Sequence, residues 1–171
     1  MNALSAAKDL LDRLRHGRFG FRLTEDMSGW HEFLPGRGPE GRLPFSFHVD
    51  WGVDRLGDCV ARDGGLHFVQ SLAGTVTVGG LCGPVPCQGT LDLRYLADAR
   101  LVYDFTFTAN DVKYRWVGQK VNVRPWNLPV SHTTCFGTLT EVKSGRLVSR
   151  GVVHFRLATV PAFVLSARPV L

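Results

Sequence analysis

The chain has 171 residues, 44% hydrophobic and 20% charged, with a formal net charge of +5. That is enough for one domain with a sizeable core and too few for two comfortable ones, and the composition is that of a globular protein rather than a fibrous or disordered one. The densest positive group, Lys8, Arg13, Arg15, His16, Arg18 and Arg22, lacks the interleaved aromatics or known module of a nucleic-acid surface and reads as a solvated helix face, so no nucleic-acid partner is expected.

In chain order, Ala3–His16 is predicted as an amphipathic helix ended by Gly17, with Leu4, Ala7, Leu10, Leu11 and Leu14 on one face. Such a helix packs on the outside of the fold or plugs one end of it; docking on a partner or a membrane surface is the sharper alternative. The start Met1-Asn2-Ala3 shows no basic region, apolar run and cleavage site, and no stretch approaches the ~20 apolar residues of a bilayer span. A cytoplasmic location without a membrane span is therefore expected.

Strands follow at Phe19–Leu23 and Met27–Leu34, with Thr24-Glu25-Asp26 between them. Pro35–Pro44 is Gly- and Pro-rich and is expected to be a mobile loop. Phe45–Val53 alternates Phe45, Phe47, Val49 and Trp51 against Ser46, His48 and Asp50. His67–Leu72, Gly74–Gly80 and Gly89–Leu96 come next, then Arg100–Ala109, Lys113–Val123, Ser131–Val142 and Leu147–Leu157. Asn110-Asp111 and Lys143-Ser144-Gly145 are natural hairpin turns. Strands at this spacing, with no helix between them, predict an antiparallel barrel or sandwich. The tail Ala158–Leu171 is predicted as a short helix or an edge strand closing one end. One domain is expected over residues 1–171: helix 1–17, barrel 19–157 and closing tail 158–171.

Lys113–Val123 decides between sandwich and barrel. One face carries Val117, Gln119, Val121 and Val123; the other carries Tyr114, Trp116, Gly118, Lys120 and Asn122. A strand between core and solvent is apolar on one side and freely polar on the other. Two large aromatics with a Lys and an Asn on one face instead suit the wall of a closed barrel with a ligand cavity.

Four cysteines, Cys59, Cys82, Cys87 and Cys135, are expected as free thiols in a reducing compartment. Cys82 and Cys87 flank Gly-Pro-Val-Pro, which looks like a hairpin loop, and the pair is a disulfide candidate in an oxidising medium. The spacing is not that of a zinc site, so no metal is expected.

Several segments, in order, resemble one family. They are Phe21-Arg22-Leu23-Thr24-Glu25-Asp26-Met27-Ser28-Gly29, Leu72-Ala73-Gly74-Thr75-Val76, Gln88-Gly89-Thr90-Leu91-Asp92-Leu93 and Leu101-Val102-Tyr103-Asp104-Phe105, then Trp116-Val117-Gly118-Gln119-Lys120, Trp126 ahead of Thr133-Thr134, and Gly151-Val152-Val153-His154-Phe155. Together they resemble the β-rich accessory domain that accompanies cholesterol-oxidase-like flavin oxidoreductases of the GMC type. The resemblance implies an all-β, antiparallel lipocalin-like (calycin-like) β-barrel for bulky apolar molecules, and a flavin oxidoreductase as possible partner. No G-x-G-x-x-G follows a strand, so no cofactor is expected in this chain. The chain departs from the family pattern where Arg124-Pro125 stands for the acid before Trp126, and where His132 stands for the acid before Thr133-Thr134. If that acid neutralises the G-x-K lysine in relatives, Lys120 here needs another partner.

Lys120 is the first candidate for chemistry: desolvated, it binds a carboxylate or enolate or acts as a base, and at a strand end it simply reaches solvent. Glu25 is a raised-pKa general acid if it lies inside an apolar barrel, or a turn residue. His132 is the third. His48 and Asp50 share a face and read as an outward polar pair, with acid–base chemistry as the alternative. Cys135 reads as a small buried residue rather than a nucleophile. Two functions follow. One is a cofactor-independent cyclase or isomerase of a lipid-, sterol- or polyketide-like molecule held between Trp30, Trp51, Tyr103, Tyr114, Trp116 and Trp126. The other is a non-catalytic carrier or accessory subunit, possible also as a homodimer.

Overall fold

The computed structural model describes residues 20–53, 68–94, 98–121, 133–155 and 168–170. The segment Ala3–His16 and the candidates Trp126 and His132 lie outside them. The strands are β1 (Gly20–Phe33), β2 (Leu43–Val53), β3 (Phe68–Val78), β4 (Cys82–Arg94), β5 (Arg100–Ala109), β6 (Val112–Lys120), β7 (Thr134–Glu141), β8 (Leu147–Phe155) and β9 (Arg168–Val170). Each of β1 to β7 pairs antiparallel with the next, and β8 pairs back onto β1. The result is a closed, up-and-down, eight-stranded barrel. β9 extends the ladder at Gly20–Arg22, where β8 no longer reaches β1. The tail thus contributes an edge strand.

The register gives the size of the barrel. A transverse path leads from Gln70 through Leu91, Tyr103, Gly118, Gly137 and Gly151 to His31 and Leu43. Phe45 faces Val78, so Leu43 meets β3 at the level of Gly80, a stagger of ten residues from Gln70. With ~3.3 Å per residue and ~4.8 Å between strands, that stagger tilts the strands by about 40°. Eight strands at such a tilt enclose a space just wide enough to be filled by side chains or to hold one small ligand.

Alternation builds the wall. On β5, Leu101, Tyr103, Phe105, Phe107 and Ala109 are all buried, while Arg115 on β6 pairs outside with Asp104. Asn110 and Asp111, at φ 49° and 62°, form the two-residue hairpin between β5 and β6, the left-handed pair that a type I′ turn requires. Gly145, at φ 67°, closes the β7–β8 hairpin.

Three readings of the sequence are corrected. Thr24-Glu25-Asp26 is no turn: it runs on within β1, paired residue for residue with Asp50, Val49 and His48. Its outer side chains bond across the strands, Thr24 Oγ1 to Asp50 Oδ1 at 2.5 Å and His48 Nδ1 to Asp26 Oδ1 at 2.6 Å. His48 and Asp50 are accordingly part of an exposed outer face.

Gly-Pro-Val-Pro is no hairpin loop either. The turn is Gly79-Gly80-Leu81, and Cys82–Arg94 is one strand. Its prolines are tolerated because β4 pairs with β5 only from Cys87 onward, so no ladder bond is asked of them on that side. Cys82 and Cys87 stand on this strand about 16 Å apart at ~3.3 Å per residue, beyond the ~7 Å reach of a disulfide, and both are free thiols.

The Pro35–Pro44 loop is folded against the barrel. Leu34 N–H donates to the Val148 carbonyl, Gly38 lies under the Phe33 ring, and Arg42 stacks over Trp30 at 4.1 Å while bonding Glu32. With the short β-turns this loop makes one end of the barrel, here called the turn end. Val53, Phe68, Arg94, Arg100, Lys120, Thr134 and Phe155 mark the strand ends at the other end of the barrel.

Candidate functional site

A polar cluster lies inside the barrel, away from the turn end. Glu25 comes from β1, Trp51 from β2, Tyr103 from β5 and Lys120 from β6. All four occupy inward positions of the alternation, and all are buried. Lys120 Nζ donates to Glu25 Oε1 at 2.8 Å. Tyr103 Oη lies 3.0 Å and 2.9 Å from the two carboxylate oxygens, and Trp51 Nε1–H donates to Oε2 at 3.1 Å. Three donors on three strands therefore converge on one carboxylate. The ammonium also faces the rings of Tyr103, at 5.1 Å, and Phe155, at 5.8 Å. Leu23 is paired with Trp51, Leu101 with Lys120 and Leu93 with Leu101, so apolar residues adjoin the cluster on β1, β4 and β5.

The partner that Lys120 needed is thus Glu25, 95 residues away in sequence. It belongs to the Phe21–Gly29 stretch rather than to the segment around Trp126. Lys120 does not reach solvent: its side chain is 4% exposed and that of Glu25 5%. Such a pair costs several kcal/mol of desolvation per ion, and well-packed apolar residues often replace one with no loss of stability. Lys120 donates one hydrogen bond among the described residues, to Glu25. An ammonium has three protons, so two are left for another acceptor.

The aromatic candidates divide. Tyr103 and Trp51 belong to the cluster. Trp116 is fully buried further down β6, against Phe45 at 4.4 Å between ring centres. Tyr114 shares that inward face and stacks on Phe107 at 5.7 Å. Both fill the turn half rather than line the polar cluster. Trp30 is corrected outright: it lies on the outer wall under Arg42, beside Val117, Phe136 and Val152. Trp126 and His132 fall outside the described residues.

Cys135 is fully buried beside Gly118. Burial pushes its thiol up to about 12, with Lys120 opposing and Glu25 adding to the shift. A thiol held protonated in this way is no nucleophile. The buried polar residues that the alternation alone did not single out are His31, Gln70 and Ser149. Gln70 had a legible signal: it is the inward position of a strand whose next inward residues are Leu72 and Val76. Among the described residues no group of three or more His, Cys, Asp and Glu could hold a metal ion. No helix of the described residues is long and apolar enough to cross a membrane.

No known protein-family model matches the chain, and neither does any curated protein or solved structure.

Proposed function

We propose that the barrel takes up a bulky apolar small molecule, lipid-, sterol- or polyketide-like, and promotes its isomerisation or cyclisation without a cofactor. The end holding Glu25 would serve as the ligand end of a lipocalin-like calyx. The observation that carries this reading is the buried ammonium of Lys120, fixed by Glu25, its one hydrogen-bond acceptor among the described residues, in apolar surroundings. A ligand carbonyl oxygen that accepts from this ammonium gains negative character, which acidifies the adjacent C–H and favours ring closure. The Tyr103 hydroxyl gives its one proton to Glu25 and helps hold the carboxylate that fixes the ammonium. Glu25 positions the ammonium, and the apolar collar orients the rest of the molecule, so rate enhancement comes from electrostatics and orientation. His132 remains the candidate for moving the proton.

A second reading is favoured by the state of Glu25. A carboxylate already engaged by Lys120, Tyr103 and Trp51 is poorly placed to accept a proton, which suits a carrier. The resemblance to GMC-associated domains points the same way, with a flavin oxidoreductase as the partner. A panel of lipid- and polyketide-derived ketones separates the two readings, with binding followed by tryptophan fluorescence and product by mass spectrometry. The enzyme reading expects turnover by the wild type that Lys120→Met abolishes. Saturable binding with no turnover in the wild type rejects catalysis and leaves the carrier.

A further inference from the structure

Gln70 is 2% exposed, and its Oε1 has no hydrogen-bond partner. The alternation of β3 turns it inward, with Leu72, Val76 and Val78. In the transverse row it faces Leu91, and Leu91 faces Tyr103. Two strand spacings put it about 10 Å from Tyr103 along the wall. Tyr103 in turn lies under the Lys120 ammonium. The polar end of the barrel thus holds two under-used polar groups, one on each side of Tyr103, with Leu91 and Leu93 between them.

An unpaired buried amide oxygen is expensive, because it gives up its water and receives nothing in return. A ligand donor that reaches it returns that bond. The amide oxygen accepts, and among the groups of an apolar ligand the one that donates to it is a hydroxyl.

We infer that Gln70 is the second polar anchor of the ligand, and that the ligand is an apolar molecule with a hydroxyl at one end and a carbonyl or carboxylate oxygen at the other. The oxygen goes to Lys120, the hydroxyl to Gln70 and the hydrocarbon between them to Leu91 and Leu93. This assignment rests on the reading of Lys120 as a ligand-binding group. The cost of the unpaired amide oxygen is already present in the ligand-free protein, so a hydroxyl-bearing ligand relieves it and the analogue that lacks the hydroxyl does not.

Two fluorescent ketones test it: 2-acetylnaphthalene and its 6-hydroxy derivative, titrated into the full-length protein. Wild type should bind the hydroxyketone about tenfold more tightly, the effect of roughly one net hydrogen bond. Gln70→Leu should erase that preference, so that the two ketones bind with the same affinity. It should also raise the melting temperature of the ligand-free protein by about 2–4 °C, since it removes an unpaired polar group. Lys120→Met should weaken both ketones by the same factor. Equal binding of the two ketones by wild type, or a lower melting temperature in Gln70→Leu, overturns the role of Gln70 and leaves that of Lys120 standing. Failure of wild type to bind either ketone overturns both.

Discussion

The two halves of the barrel interior are lined by the same strands in the same alternation, yet they are filled on different principles. β6 contributes to both, with Trp116 in the turn half and Lys120 in the other. In the turn half, the Trp116 indole lies against Phe45, and Phe47 meets Phe105 at 5.3 Å between ring centres. The indole fits because two glycines leave room for it. A Cβ on Gly137 would lie 2.2 Å from Trp116 Cζ2, and one on Gly118 would lie 2.6 Å from Nε1. In the other half, polar groups meet each other in a costly arrangement that aliphatic residues could replace. Both halves bury polar atoms without a partner, His31 Nδ1 and Trp116 Nε1 in the turn half and Gln70 Oε1 in the other, but the buried ion pair of the described residues lies in the polar half.

The largest test of that contrast is in the packed half. Trp116→Ala removes a fully buried indole and should cost about 3–5 kcal/mol in urea unfolding. Gly137→Ala should cost about 1–3 kcal/mol, because backbone and ring must both give way. Neither change touches the polar cluster. A Gly137→Ala protein as stable as wild type would show that the turn half is not tightly packed.

In the polar half the expectation has a different shape. Lys120→Met alone leaves a buried carboxylate without its counter-ion and should destabilise by about 3–5 kcal/mol. The double change Glu25→Leu with Lys120→Met should fold to within about 1 kcal/mol of wild type, since paired replacement of buried ions is often neutral or stabilising. The double variant should bind no ketone. If it unfolds, or binds as wild type does, the cluster is structural and the contrast between the halves fails.

The parts of this arrangement legible in the sequence are those that local periodicity records. Period-two alternation over Phe45–Val53, Arg100–Ala109 and Lys113–Val123 gives the strands, their inward faces and the closed barrel, and it places Lys120 and Trp116 inside. Pairing across the barrel leaves no local trace. That Glu25 meets Lys120 follows from β1 and β6 reaching into one interior, and no spacing rule connects residues so distant. Breaks were misplaced where composition and register disagree. Thr24-Glu25-Asp26 has turn-forming residues, yet an unbroken ladder with β2 holds it extended. Gly-Pro-Val-Pro has the composition of a loop, yet it lies where β4 lacks one neighbour. Trp30 reads as a ligand-holding aromatic in the sequence, and its outer position is stabilised by Arg42 stacking on the ring.

His31 gives the packed half a pH signature. The ring is fully buried, with Nε2 2.9 Å from the Gly79 carbonyl and Nδ1 without a partner. Burial lowers its pKa below the usual 6.5, and the bond to Gly79 opposes this only in part. The unfolded chain therefore binds a proton before the native state does, and stability rises with pH through this window. The contribution is complete above pH 6.5 and is lost as pH falls through the native pKa. His31→Gln should flatten the loss of stability that sets in as pH falls below 6.5, read as the slope of urea-unfolding stability against pH. An unchanged slope would place the acid sensitivity elsewhere.

The smallest effect is read at the border of the two halves. Cys135 lies between Trp116 and the Lys120–Glu25 pair, with its thiol near 12, while burial raises Cys87 to about 11 and half-buried Cys82 less. In a Cys59→Ser background, a thiol reagent at pH 8 should reach Cys82 first and Cys87 more slowly. Cys135 should react only on global unfolding, because both thiolate fraction and access are minimal there. A ligand bound to the native protein at Lys120 should leave the Cys82 rate unchanged and slow Cys135, since it suppresses the global unfolding through which Cys135 reacts. Fast labelling of Cys135 in the native protein would mean that solvent passes the polar cluster into the packed half, and the division of the interior would then be one of residue type and not of packing.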